Sequence, residues 1–270
     1  MPGAPEPEYV VARRVLLDAL TALRAHIDAL VIVGAQAVYL HVGEGDLAVA
    51  PYTTDGDLAV EPGRLADRPD VAETMTSAGF RADPLQPGVW TSSSGVSIDL
   101  MVPEALAGPG RRGADLGLHG RLAARRARGL EAALVDRSSM TVASLEGSDS
   151  RTFDIRVAGP GALLVAKLHK IADRSADGRR RSDKDALDIL RLLRGVTTLA
   201  LAASVRELLM DERSAKVTAE ALEHLGRLFG AATAEGSQMA ARSAELLENP
   251  AEIAASCTAL AGDLLTALQA

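Results

Sequence analysis

The chain is short of thiols and of aromatic rings: its 270 residues hold one cysteine, Cys257, with three Phe, three Tyr and one Trp. A lone thiol closes no internal disulfide and has no second thiol with which to build a zinc site, which gives no basis for redox or structural-zinc chemistry. So few rings leave little with which to stack on nucleic-acid bases. Long apolar runs are also missing. The longest, residues 29–33 and 199–203 among them, fall far short of the ~18 residues of a membrane span. The first eight residues are Pro-rich and acidic, unlike a secretory signal, so the sequence reads as a soluble, cytoplasmic protein with no membrane partner. Positive charge is in deficit, 29 Lys and Arg against 36 Asp and Glu for a net −7, which argues against bulk non-specific binding to nucleic acid.

What is present is a globular composition. With 47% hydrophobic and 24% charged residues, the chain can build the core of one large domain or two modest ones, and disordered and fibrous classes are excluded. The cations are unevenly spread. Residues 111–128 hold six arginines (Arg111, Arg112, Arg121, Arg125, Arg126, Arg128) against Asp115 alone, and residues 167–184 hold seven Lys or Arg against three Asp. Each cluster reads either as a polyanion contact or as a solvated surface.

Apolar residues at three- and four-residue intervals predict a helix over 9–27. The β-branched run Leu30–Val33, closed by Gly34, predicts a buried strand ending in a tight turn, followed by a short helix over 36–42. A strand is expected at 57–60, a helix over 64–78, and hairpins from 89–92 with 96–102 and from 140–145 with 151–157. Beyond Gly159-Pro160-Gly161 the chain is Ala- and Leu-rich with helical spacing and no strand signal. The expectation is an α/β fold: a core over 1–159 with a small mixed sheet, then a helical domain over 160–270.

The segment Thr53-Thr54-Asp55-Gly56-Asp57 enters the strand at 57–60. Side chains two apart on a strand point the same way, so Asp55 and Asp57 project together, and two such carboxylates repel unless a cation lies between them. Oxygen donors of this kind suit Mg²⁺ or Mn²⁺. Asp99, inside the apolar run Ile98-Asp99-Leu100-Met101-Val102, needs a cation or donor partner and is the natural third ligand. Taken singly, each of these is equally a turn residue or a solvated strand residue.

In this order (strand, Gly turn, helix, Asp-x-Asp pair, lone Asp) the chain resembles the polymerase-beta-type nucleotidyltransferase superfamily. The segments Ala162-Leu163-Leu164-Val165-Ala166-Lys167-Leu168-His169-Lys170 and Ser182-Asp183-Lys184-Asp185-Ala186-Leu187-Asp188 are similar to the Lys-containing helix and the Lys/Arg-Asp-x-x-Asp helix of AbiEii-type members, which include toxins of bacterial toxin-antitoxin systems. The resemblance spans about residues 30–195. The chain carries Gly34-Ala35-Gln36 where the superfamily commonly has Gly-Gly or Gly-Ser.

The resemblance implies transfer of a nucleoside monophosphate from an NTP to an acceptor hydroxyl. Asp55, Asp57 and Asp99 are the implied ligands of Mg²⁺ or Mn²⁺, and Gly34, Ala35, Thr53, Thr54 and Lys167 the implied nucleotide contacts. Asp185 is implied in the active site, orienting Lys167 or contacting the nucleotide, and Asp188 is equally read as a buried salt-bridge partner. A tRNA acceptor and an antitoxin protein partner are implied by the resemblance, with Arg125, Arg126 and Arg128 as candidate acceptor contacts. Two alternatives stay open: a small-molecule acceptor such as an aminoglycoside, and a catalytically silent binding protein of the same fold.

Overall fold

The computed structural model describes residues 5–43, 47–50, 52–177 and 183–270. Ser182 and the arginines at 179–181, which belong to the second cation cluster and the Asp-x-x-Asp segment, lie outside these described residues. Mixed α/β architecture is observed, with a mixed sheet in the amino-terminal part and helices to the carboxy terminus. The chain divides into two compact units. The first comprises Met1–Gln36, Pro51–Leu130 and Arg137–Ala158, and the second Ala37–Ala50, Glu131–Asp136 and Gly159–Ala270.

The first unit opens with helix α1 (Pro7–Ala22), its proline at the helix start where a missing N–H costs nothing. Residues 23–27, expected to continue this helix, instead lead into a 3₁₀ turn, Arg24–Ala29, which carries the buried His26 to the Pro69 carbonyl at 2.9 Å. Strand β1 (Leu30–Val33) follows and runs into helix α2 (Gly34–Val42), and strand β2 (Asp55–Val60) pairs antiparallel with β1. Of the helix expected over 64–78 only α3 (Val71–Ser77) forms. Pro69 disfavours helical geometry in the residue before it, and the Asp70 carboxylate starts the helix by accepting from the Glu73 amide at 2.9 Å.

Strands β3 (Arg81–Ala82), β4 (Val89–Thr91) and β5 (Ser97–Pro103) come next, β4 and β5 making the expected hairpin. Strand β6 (Arg125–Ala127) lies inside the arginine-rich segment and runs parallel to the end of β5, an element the sequence did not announce. The second hairpin is β7 (Arg137–Ala143) with β8 (Thr152–Ala158), in register Met140 to Ile155. The sheet order is β3-β4-β5-β2-β1-β8-β7, with β6 on the edge of β5.

One sheet face is apolar. Leu58, Ile98, Leu100, Ile32 and Val157 are buried there, and a side chain at Gly56 would meet Ile98 and Leu16 of α1. Each such residue contributes about 1.5–3 kcal/mol by leaving water. The other face takes the alternate residues, Asp55 and Asp57 on β2 and Asp99 on β5 among them.

The second unit is built from α4 (Pro160–Asp177), α5 (Asp183–Gly195), α6 (Thr198–Met210), α7 (Ala215–Phe229), α8 (Glu235–Ala244) and α9 (Pro250–Gln269). Asp136 caps α4, accepting from the Ala162 amide at 2.9 Å and from the Ser204 hydroxyl at 2.7 Å. Helix α9 is long and apolar enough by length and composition to cross a membrane. Within the unit it buries the stripe Ile253, Ala254, Cys257, Ala261 and Leu264 and packs on α6, α7 and α8.

Candidate functional site

The site in the first unit starts from the turn after β1. Gly34 has φ +69°, the left-handed region that favours glycine, and it opens α2. The Asp57 carboxylate fills the space a side chain at 34 would need: a Cβ there would lie 1.9 Å from Asp57 Oδ2. Asp57 is only 8% exposed. Glycine is therefore required at 34 both by the backbone and by the acid that sits over it.

Asp55 lies two residues earlier on the same face and is half-buried; its carboxylate accepts from the Thr53 hydroxyl at 2.6 Å. Thr53 is fully buried, whereas Thr54 is exposed and Ala35 buried. Gln36, at the position that departs from the superfamily pattern, donates from Nε2 to the Asp55 carbonyl at 3.0 Å and to the Ala12 carbonyl at 3.2 Å, and accepts from Arg13 Nε at 2.8 Å. Arg13 further donates to the Tyr9 hydroxyl at 2.8 Å and the Ala143 carbonyl at 3.1 Å. Burial lowers the Arg13 guanidinium and raises the Tyr9 phenol from their ordinary proton affinities. This buried network fixes the turn to the start of β2. Nothing in the sequence singled out Arg13, which follows the helical pattern of α1 as an ordinary polar residue.

Asp99 pairs in register with Asp57 across parallel strands, and Asp55 with Ser97, so the three carboxylates share one face. Their side chains do not converge. Asp99 accepts from Arg125 Nη2 at 2.8 Å, and among the described residues no three His, Cys, Asp or Glu side chains are arranged to hold a metal ion. The donor chemistry that fits a divalent cation is the oxygen pair Asp55 and Asp57; the third carboxylate is committed to a guanidinium.

The three candidate acceptor contacts are not brought together on one surface. Arg125 and Arg126 alternate along β6, at the partners of Met101 and Val102, and so leave opposite faces of the sheet. Arg125 holds Asp99, Arg126 donates to the Gly108 carbonyl, and Arg128 lies beyond the strand, exposed. Arg121 in the same segment is paired with Asp115 at 2.8 Å.

The second unit brings together the other predicted residues. Lys167 on α4 is 4% exposed, and its ammonium lies 3.0 Å from Asp185 Oδ1 and 2.7 Å from Asp188 Oδ2 of α5. Lys170 reaches the same Asp185 oxygen at 3.1 Å, and the Tyr39 hydroxyl donates to Asp188 Oδ1 at 3.3 Å. Arg191, one helical turn beyond Asp188, donates to the Val49 carbonyl at 2.6 Å. Burial opposes the charge on Lys167, but the fields of Asp188 and Asp185 outweigh it and hold the ammonium well above the usual lysine range. Lys167 is thus a buried ion-pair member and not a solvated helix lysine, and of the two readings of Asp188 the salt-bridge partner is the one observed.

Comparison with family models, curated proteins and solved structures finds no match for this chain.

Proposed function

We propose that the chain is a nucleotidyltransferase that moves a nucleoside monophosphate from an NTP to a hydroxyl of RNA, tRNA being the acceptor the resemblance favours. The observation that supports this best is the joint placement of a left-handed Gly34 against the Asp57 carboxylate and of Asp57 in register beside Asp99. The amides that open α2 at Gly34 and Ala35 offer donors to phosphate oxygens. Asp55 and Asp57 are the residues that would hold Mg²⁺ or Mn²⁺, which when bound stabilises charge on the transferring phosphate and its leaving group. Asp99, once released by Arg125, is the carboxylate that would accept the proton of the attacking hydroxyl. The new bond joins the acceptor oxygen to the α-phosphorus, and the bond to the pyrophosphate oxygen breaks, its electron pair leaving with pyrophosphate. Lys167 with Asp185 and Asp188 supports the helical unit in this reading, and an antitoxin partner belongs to the same proposal.

Incubating the protein with each α-labelled NTP, Mg²⁺ and total RNA tests it. Label entering RNA is the expected result; no transfer with any NTP overturns it. The ion pair between Asp99 and Arg125 favours a second reading, a nucleotide-binding protein without turnover, for which nucleotide binds and no label moves.

A further inference from the structure

The alternation that places Asp55 and Asp57 on one face of β2 carries on through Ala59 to Glu61, the residue just past the strand, whose amide is held by the Ala29 carbonyl at 2.8 Å. Three guanidinium groups gather on that glutamate. Arg137 Nη1 lies 2.9 Å, Arg64 Nε 3.2 Å and Arg156 Nη1 4.0 Å from Glu61 Oε2. Register puts two of these arginines on the face of the carboxylates: Arg156 partners Val31, which partners Ala59, and Arg137 partners Ala158, two residues on from Arg156. Four residue steps along the extended chain separate Asp57 from Glu61, a span of about 13 Å.

The charges do not balance within the cluster. Glu61 is its one contacting carboxylate, the exposed Asp28 acts on Arg156 from the turn before β1, and Asp154, on the same strand as Arg156, accepts from the Thr141 hydroxyl. Burial, and then the neighbouring charges of Arg137 and Arg64, lower the proton affinity of Arg156. Of the three, only Arg137 donates a side-chain hydrogen bond to Glu61: Arg64 forms a salt bridge at 3.2 Å, and Arg156, its side chain 18% exposed, has among the described residues only the 4.0 Å approach to Glu61. A largely buried guanidinium whose N–H groups still reach water, beside a second guanidinium locked in place by Glu61, is a preformed cradle for a tetrahedral oxyanion, which takes two N–H donors from one fork.

We infer that Arg156 and Arg137, with Arg64 at the rim, bind a phosphodiester group of the RNA acceptor. This rests on the nucleotidyl-transfer reading for its choice of RNA. Arg156 lies level with Ala59, two residues along from Asp57 and two strand spacings, about 10 Å, across the sheet, a separation that an RNA strand whose end lies at Asp57 bridges with an internal phosphate. The contact is to backbone and carries no base information, in keeping with a chain of so few aromatic residues.

The test is binding of a fluorescent single-stranded RNA of mixed sequence to the full chain across a salt series. Arg156→Gln keeps a polar, hydrogen-bonding side chain, though a shorter one, and removes its charge. It should weaken binding about ten-fold at low salt and reduce the magnitude of the salt slope by roughly 0.7. Arg156→Lys should recover the slope but only part of the affinity, because a point charge replaces the fork. Lys216→Gln, at an exposed position on α7, is the control and should change neither. An unchanged slope in Arg156→Gln overturns the inference, as does a failure of the wild-type chain to bind RNA. Weakened binding of labelled ATP in Arg156→Gln with RNA binding intact also overturns it, by assigning the fork to the free nucleotide. RNA labelling that persists while the slope stays unchanged would leave the transferase reading standing and remove the subsite alone.

Discussion

Arg125 Nη2 sits 2.8 Å from the Asp99 carboxylate, so the residue expected to meet the acceptor instead neutralises the acid expected to complete the metal site. Both are partly exposed, at 33% and 22% of their side chains, so the pair is worth at most about 1 kcal/mol to folding. Its consequence lies in what Asp99 is free to bind.

Replacing Arg125 with Gln should therefore leave thermal stability almost unchanged and free Asp99 to act with Asp57, its register partner. The affinity for Mn²⁺, followed by calorimetry, should rise several-fold. An affinity equal to the wild type would show that Asp99 takes no part in cation binding.

Gly34→Ala tests the turn. The substitution asks an L-residue to hold φ +69°, which costs about 1–2 kcal/mol, and it pushes a methyl group into the Asp57 carboxylate. Urea denaturation should show a loss of at least that size, and NTP-dependent labelling should disappear. Stability and labelling at wild-type levels would mean that Asp57 can move aside without consequence.

Lys167→Met keeps most of the stem and removes the charge, leaving buried Asp185 to Lys170 and buried Asp188 to the Tyr39 hydroxyl and the Arg191 guanidinium at 3.8 Å. Breaking a buried pair from one side costs about 3–5 kcal/mol. The loss should shrink when Asp188→Asn is added, since the second change removes one of the buried carboxylate charges that Lys167 had balanced. A Lys167→Met chain as stable as wild type would show that the cluster does not hold α4 to α5.

How much of this was legible in the sequence depends on the range of the interaction. Leu30–Val33, the β4–β5 hairpin and the helical run after residue 160 follow from local pattern, and all three are observed. Asp55 and Asp57 share a face by strand alternation alone, which needs no partner strand. Register carries what was missed. The Arg-Arg-Ala of β6 has no strand propensity and becomes a strand only because β5 offers an edge, and that pairing brings Arg125 to Asp99. Glu61, Arg137 and Arg156 lie far apart in sequence and meet through a parallel pairing of β1 with β8. The carboxylate partners of Lys167 were not legible, because a helix position shows its partners only when the next helix is docked.

A fourth prediction concerns pH. His26 is buried, donates from Nε2 to the Pro69 carbonyl, and leaves Nδ1 without a hydrogen-bond partner, with the His119 ring 5.2 Å away. Burial lowers its proton affinity, His119 adds to that, and the Pro69 carbonyl and Asp70 oppose it. A folded-state value below the unfolded one means that the unfolded chain takes up the proton first. Stability should thus be fully present above the ordinary histidine value of about 6.5 and fall as pH drops through it towards the lowered folded value. In His26→Gln the fall between about pH 7 and about pH 5.5 should be smaller. Equal slopes in the two proteins would show that His26 does not report its burial.

The most direct measurement follows the fate of the phosphate itself. RNA is incubated with Mg²⁺ and an NTP labelled at either the α- or the γ-phosphate, with the wild-type chain and with Asp57→Asn, which keeps the shape of the side chain over Gly34. Nucleotidyl transfer predicts α-label in RNA with the wild type, no γ-label, and neither with Asp57→Asn. α-Label transferred equally by a folded Asp57→Asn chain, or γ-label in place of α-label, would contradict it.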